Sequence, residues 1–213
     1  MTYSRANPST RYVELLSMYR EMHLEGEKHL RIPAHETFDG RSLHGQVRRI
    51  KRLIERTGAE TVLDYGSGKG QQYDPNRIKV QGEGEWDGVL DYWGVEEVVC
   101  FDPAYPPYST PPGGQFDGVV STDMLEHCPE DDIPWIVEEM FSFARRFVFA
   151  TVACYPARKR LPSGENAHIT LKDPQWWREV FERSAARHGD VLWEAWVQLT
   201  PPAKGCQETR LGN

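Results

Sequence analysis

Apolar residues recur at helical spacing in two early stretches of the chain: Tyr12, Leu15, Leu16, Tyr19 and Met22, then Leu43, Val47, Ile50 and Ile54 before Gly58. Residues three and four apart share one helix face, so two helices precede the first strand. From residue 61 the pattern changes to short apolar runs set between turn residues, which predicts strand 61–65, a glycine loop, a short helix from about Trp86 to Trp93, and strand 95–101. Strand 117–121, a helix from about 132 to 144 and strand 146–153 follow, the helix carrying Ile133, Ile136, Val137, Met140, Phe141 and Ala144 on one face. Asp173-Pro174 opens another helix, with aspartate as N-cap and proline at the first helical position, and Trp177, Val180 and Phe181 form its apolar stripe. A last strand, Val191 to Leu199, closes the domain. Strands alternating with helices imply an α/β fold whose mostly parallel sheet is covered by helices on both faces.

Two stretches read as loops: Gln71 to Glu85, and Pro103 to Gln115 with its five prolines and two glycines. The chain of 213 residues is 39% hydrophobic and 27% charged, the composition of one globular domain with a sizeable core. The expected division is N-terminal helices over 1–58 and an α/β core over 59–200, within a single domain 1–213. No apolar run approaches the roughly 20 residues of a membrane helix and no signal-peptide pattern opens the chain, so a cytoplasmic protein without a membrane partner is expected. A formal charge of -7 speaks against a broad nucleic-acid surface. Arg48, Arg49, Lys51, Arg52 and Arg56 fall mostly off the apolar stripe of the second helix, where a solvated face and a phosphate- or partner-binding role both stay open. The four cysteines at 100, 128, 154 and 206 make no C-x-x-C pair, and the histidines at 23, 29, 35 and 44 lack metal-ligand spacing, so neither disulfide nor metal is expected.

Candidate chemistry concentrates at strand ends. Thr61-Val62-Leu63-Asp64 breaks into Tyr65-Gly66-Ser67-Gly68-Lys69-Gly70, and Val98-Val99-Cys100-Phe101 stops on Asp102. Alternating glycines let a ligand approach the main chain, and an acid at the next strand tip suits a ribose diol. Ser121 to His127 and Cys154 to His168 also fall at strand ends, where open parallel sheets bind ligands.

Asp64-x-Gly66-x-Gly68-x-Gly70, with Asp102 ending the next strand, resembles motif I and the following acidic position of class I S-adenosylmethionine-dependent methyltransferases. Asp117-Gly-Val-Val-Ser-Thr-Asp-Met-Leu-Glu-His127-Cys-Pro129 is similar to the fourth-strand segment of small-molecule members with a Leu-Glu-His-x-Pro signature. His168-Ile-Thr-Leu-Lys-Asp-Pro-Gln-Trp-Trp177 sits where these families often place a histidine, and the resemblance covers about residues 61–185. It implies a Rossmann-like core, S-adenosyl-L-methionine as cofactor, and methyl transfer to an oxygen or nitrogen of a small polar acceptor. Asp64, Tyr65, Gly66, Ser67, Gly68 and Gly70 would shape the loop against the methionine part. Asp102, followed by Pro103, would accept from the ribose hydroxyls, and Thr122, Asp123 and Met124 would face the sulfonium. His127, His168 and Asp123 are the candidate catalytic residues, because removing a proton from an oxygen or nitrogen nucleophile needs a base near neutral pKa.

The chain departs from the family in one respect. Only the 13 residues 103–115 separate Asp102 from Phe116, too few for a helix and a strand, so the usual third strand is expected to be missing. Tyr105 and Tyr108, with neighbouring prolines, would then replace the lost wall of the adenine pocket, or merely pack on the core. Glu165-Asn166-Ala167-His168, after Pro162-Ser163-Gly164, would form a polar substrate lid, with Tyr155, Trp176 and Trp177 available as apolar walls. Two alternatives stand beside this reading: a non-catalytic S-adenosylmethionine-binding protein, and an NAD-dependent oxidoreductase. The second fits less well, because position 71 is Gln and Asp102 lies 32 residues past Gly70, against the usual acid about 20 residues on.

Overall fold

The computed structural model describes residues 3–201 and 204–213. Helix α1 spans Thr10–Glu25; the Ser9 hydroxyl caps it by accepting from Tyr12 N at 3.0 Å, and it stops at Gly26. Helix α2 spans Val47–Thr57, so Leu43 lies in the short turn before it and not in the helix proper. Strands β1 Thr61–Tyr65, β4 Glu97–Phe101, β5 Phe116–Thr122, β6 Ala144–Ala153, β7 Leu192–Gln198 and β8 Glu208–Gly212 form one six-stranded sheet. A separate hairpin pairs β2 Ile78–Val80 with β3 Gly84–Trp86, and helices α3 Val89–Trp93, α4 Ile133–Phe143 and α5 Pro174–Ala185 complete the order.

The sheet runs β4-β1-β5-β6-β7-β8, parallel throughout except for β8, which is antiparallel to β7. This is a Rossmann-like α/β arrangement. Period-two alternation divides its core: Leu63, Val119 and Val148 face α4 and α5, while Val62, Val120, Phe147 and Phe149 face α2 and α3. Burial on both faces explains why these strands carry adjacent apolar residues such as Val62-Leu63 and Val119-Val120. Helix α1 covers neither face. Its Leu15 and Met22 form a third cluster with Leu161 and Ala167, above the carboxyl ends of the strands. Among the described residues no helix is long and apolar enough to cross a membrane.

Several expectations need correction. Residues 191–199 do not close the sheet, because β8 adds an edge strand and carries the core to residue 212, past the expected boundary at 200. Only Leu211 of β8 is buried, so a Glu-Thr-Arg-Leu-Gly edge leaves almost no apolar signal. The stretch 71–85 is not simply a loop, since it holds β2 and the start of β3. Trp86 belongs to β3, and Gly88, at φ 140°, separates it from α3. The short connection after Asp102 holds a single 3-10 turn, Pro106–Tyr108, leaving β4 as the sheet edge, in accord with a missing third strand.

Candidate functional site

From β1 the chain crosses to β4 on one side and then returns to β5 on the other, so strand order reverses at β1. The loops leaving β1 and β5 diverge there and open a crevice beyond the strand ends. A cavity of about 910 Å³, counting its open mouth, fills that crevice. Tyr65, Gly66, Ser67, Gly68, Asp102, Pro103, Thr122, Asp123, Met124 and His127, all expected site residues, line it. Asp64 and Gly70 do not. Asp64 is buried beneath the loop, accepting from Gln72 Nε2 at 2.8 Å and Tyr73 Oη at 2.9 Å, and burial raises its pKa to about 6. Gly70 faces Tyr108 and Cys100 instead.

The loop geometry follows from its glycines. Gly66 adopts φ 83°, and a Cβ there would stand 2.3 Å from Met124 Cγ, so the Gly66 main chain packs directly on the Met124 side chain where the two loops leave their strands. Gly68, at φ 60°, meets a second neighbour: its Cβ would lie 2.3 Å from the Phe38 carbonyl oxygen, which accepts from Lys69 N at 2.9 Å. Asp123 holds φ 52°, with its N–H donating to Thr151 O at 3.2 Å and Thr151 Oγ1 at 3.1 Å, while the Thr151 hydroxyl donates to Asp123 Oδ1 at 3.0 Å. A non-glycine residue in that region is strained and held by its surroundings.

Sequence reasoning missed the roof of the cavity. Tyr12, Leu16, Tyr19 and His23 of α1 face it, together with Phe38, whose φ of 56° is unusual for an aromatic residue. The α1 stripe was visible as helical periodicity, yet periodicity does not separate a face that packs on core from one that covers a cavity. The expected aromatic replacements sit elsewhere. Tyr105 stacks on His23 at 5.0 Å and 27°, and Tyr108 meets Tyr105 edge-on, so neither lines the cavity, whereas Pro103, Ala104 and residues of α1 do.

Asp102 accepts from Gly68 N through Oδ2 and from Ala104 N through Oδ1, both at 2.9 Å. Burial raises its pKa to about 6 against the pull of these N–H groups and of Lys69. His23 lies 3.8 Å from the same carboxylate, and burial, then the Lys69 and Lys159 charges, lower its pKa to about 3.

At the other end, His127 Nδ1 donates to Ala167 O at 2.9 Å, and Tyr19 Oη donates to the same carbonyl at 2.7 Å. The proton is thereby fixed on Nδ1, leaving Nε2 as the acceptor of a neutral ring. Burial, then the neighbouring His168, lower the His127 pKa to about 3. His168 is outside the cavity lining, 4.9 Å from His127 ring to ring, with Nδ1 donating to Tyr155 O at 2.6 Å and Nε2 4.0 Å from Glu126 Oε1. Glu126 is completely buried, and burial first, then Asp123, raise its pKa well above the carboxylate range. Burial also raises Asp123, opposed by the Thr151 hydroxyl and by Lys159.

The expected lid is pinned, not open. Ala167 is buried and binds both Tyr19 and His127 through its carbonyl, Asn166 Oδ1 accepts from Ala157 N and His168 N, and Glu165 pairs with Arg11. Trp177 belongs to the core and Tyr155 donates to Gln198, so neither walls the cavity. On α2, Arg49 pairs with Glu208, Arg48 with Glu83, and Lys51 donates to Tyr92 O, away from the cavity. No group of three potential metal ligands occurs among the described residues.

No protein-family model matches the chain, and no curated protein matches it.

Proposed function

We propose that the protein is an S-adenosylmethionine-dependent methyltransferase acting on an oxygen or nitrogen of a small polar acceptor. The observation that carries this reading is one cavity, at the reversal of strand order, that joins the Gly66–Gly68 loop and Asp102 at one end to Asp123, Met124 and His127 at the other. The residues present fit such a cofactor. Gly66 and Gly68 bring bare main chain to the cavity edge, Ser67 Oγ is buried without a hydrogen-bond partner among the described residues, and each Asp102 oxygen spends one lone-pair direction on an N–H and keeps another.

When bound, the cofactor supplies an electrophilic methyl group on a good leaving group, so the protein's task is alignment and proton removal. Asp102 holds a polyhydroxylated sugar by charge-assisted hydrogen bonds, which a low-dielectric cleft strengthens. His127 is the best placed of the three candidates to take the proton, because it alone of the two histidines lines the cavity with a fixed tautomer and, among the described residues, no partner on Nε2; its lowered pKa keeps the ring unprotonated at neutral pH but makes it a weak base, so alignment carries more of the rate than proton removal. His168 and Glu126 brace the segment behind it, and Asp123 shapes the β5 turn through Thr151. The small acceptor would enter beside Phe38 and Ser42. A thermal-denaturation series tests the cofactor class: S-adenosylhomocysteine is expected to raise the midpoint and NAD to leave it unchanged, whereas stabilisation by NAD alone would overturn the reading.

A further inference from the structure

Asp102 has a partner on α1 that no strand-end pattern reveals. Lys69, on the glycine loop, donates its ammonium to His23 Nδ1 at 3.1 Å and to His23 O at 2.9 Å. A nitrogen that accepts carries no hydrogen, so the ring proton of the neutral His23 resides on Nε2. That N–H stands 3.8 Å from Asp102 Oδ2, beyond hydrogen-bond reach, and has no other partner among the described residues. Both side chains line the cavity, and His23 is only 4% exposed. The imidazole is clamped between Tyr105, stacked at 5.0 Å, and Phe38, at 4.9 Å. A donor and an acceptor are therefore held rigidly side by side with a gap that neither closes.

A hydroxyl group fills such a gap. Its hydrogen is donated to Asp102 Oδ2 and its oxygen accepts from His23 Nε2–H, each over about 2.8 Å. We propose that His23 and Asp102 together form the recognition site for one hydroxyl of a ribose cis-diol, which makes His23 a specificity-determining residue for ribonucleoside over deoxyribonucleoside ligands. The N-terminal helix is then part of the binding site and not only its cover. A positive group bound at Asp102 alone would not need the Nε2–H, and an anion would meet the carboxylate. The pairing of one donor with one acceptor selects a neutral hydroxyl. The proposal rests on the cofactor reading only in that the ligand carries a ribose.

Calorimetric titration of the whole chain with S-adenosylhomocysteine and its 2′-deoxy and 3′-deoxy forms tests it. Wild-type protein should bind one deoxy form about tenfold more weakly or worse. His23→Phe, which keeps the ring and removes the donor, should weaken the parent compound about tenfold and leave that deoxy form nearly unaffected. His23→Gln, which retains an N–H donor, should recover part of the ribose preference, and it carries the comparison if His23→Phe does not fold. Equal weakening of all three ligands by His23→Phe, or no weakening, would overturn the proposal and reduce His23 to packing. If wild-type protein binds NAD and not S-adenosylhomocysteine, the methyltransferase reading falls, and the same comparison with NAD and its adenosine-ribose deoxy forms decides His23 independently. Binding of neither overturns both.

Discussion

Replacing Asp102 with asparagine separates what the carboxylate does for the fold from what it does for a ligand. Its pKa of about 6, against an ordinary 3.8, means that the folded state holds a proton which the unfolded chain has already released between those values. Stability therefore falls as pH rises from about 4 to 6, and above that the ionised, buried carboxylate costs the fold about 3 kcal/mol. Asparagine removes this cost. It also has one acceptor oxygen where aspartate has two, so either Gly68 N or Ala104 N, each now bonded at 2.9 Å, loses its partner at a cost of about 1–3 kcal/mol. At pH 7 the two effects offset, and Asp102→Asn should lie within about 2 kcal/mol of wild type; at pH 4 only the loss remains. Urea unfolding at pH 4, 5, 6 and 7 should show the variant gaining about 2.4 kcal/mol on wild type across that range, while its affinity for S-adenosylhomocysteine falls about 10- to 100-fold. A stability difference that stays constant from pH 4 to 7 would refute the reasoning.

Gly68→Ala places a Cβ 2.3 Å from the Phe38 carbonyl at φ 60°, and should cost about 2–3 kcal/mol, read as a lower urea midpoint; an unchanged midpoint would show that the 38–42 segment yields freely. His127 is neutral in the fold, with a pKa of about 3, whereas the unfolded chain protonates it near 6.5, so it lowers stability as pH falls through that window. His127→Gln should flatten the acid limb of the stability curve by about 1.4 kcal/mol per pH unit and leave S-adenosylhomocysteine affinity within about twofold; parallel curves would contradict its neutral burial. Tyr19→Phe deletes the donor to Ala167 O and the 3.0 Å contact with His127 Nδ1, for a loss of about 1 kcal/mol, and it should be non-additive with His127→Gln in a double-mutant cycle.

The parallel core was legible because β1, β5 and β6, buried on both faces, each carry adjacent apolar residues: Val62-Leu63, Val119-Val120 and Phe147-Val148-Phe149-Ala150. The N-cap at Asp173 was equally legible, since its carboxylate accepts from Trp176 N at 2.9 Å in the position that Asp-Pro predicts. Strands written mostly in polar residues and glycine were not. The buried signal of β8 rests on Leu211 alone, and the β2–β3 hairpin lies in a run that is mostly polar and glycine-rich. For the cavity, the residues at strand ends could be named because strand ends are where the pleated pattern stops, and most of those named do meet in one place. What covers that place was hidden. His23 and Phe38 reach it through the path of α1 and the turn after it, and no local spacing in the sequence encodes where a helix lands on a distant sheet. Of the two roles open for Tyr105, a cavity wall or packing, the structure shows packing, because its ring stacks on His23, a contact 82 residues away in sequence.

The central claim is that the β1–β5 crevice binds S-adenosylmethionine, and calorimetric titration of the purified protein with S-adenosylhomocysteine, with NAD as the parallel control, tests it most directly. Micromolar binding at one site per chain, lost on Asp102→Ala and absent for NAD, is the expected result. No binding of S-adenosylhomocysteine by protein shown free of co-purified cofactor, or binding of NAD in its place, would contradict the claim.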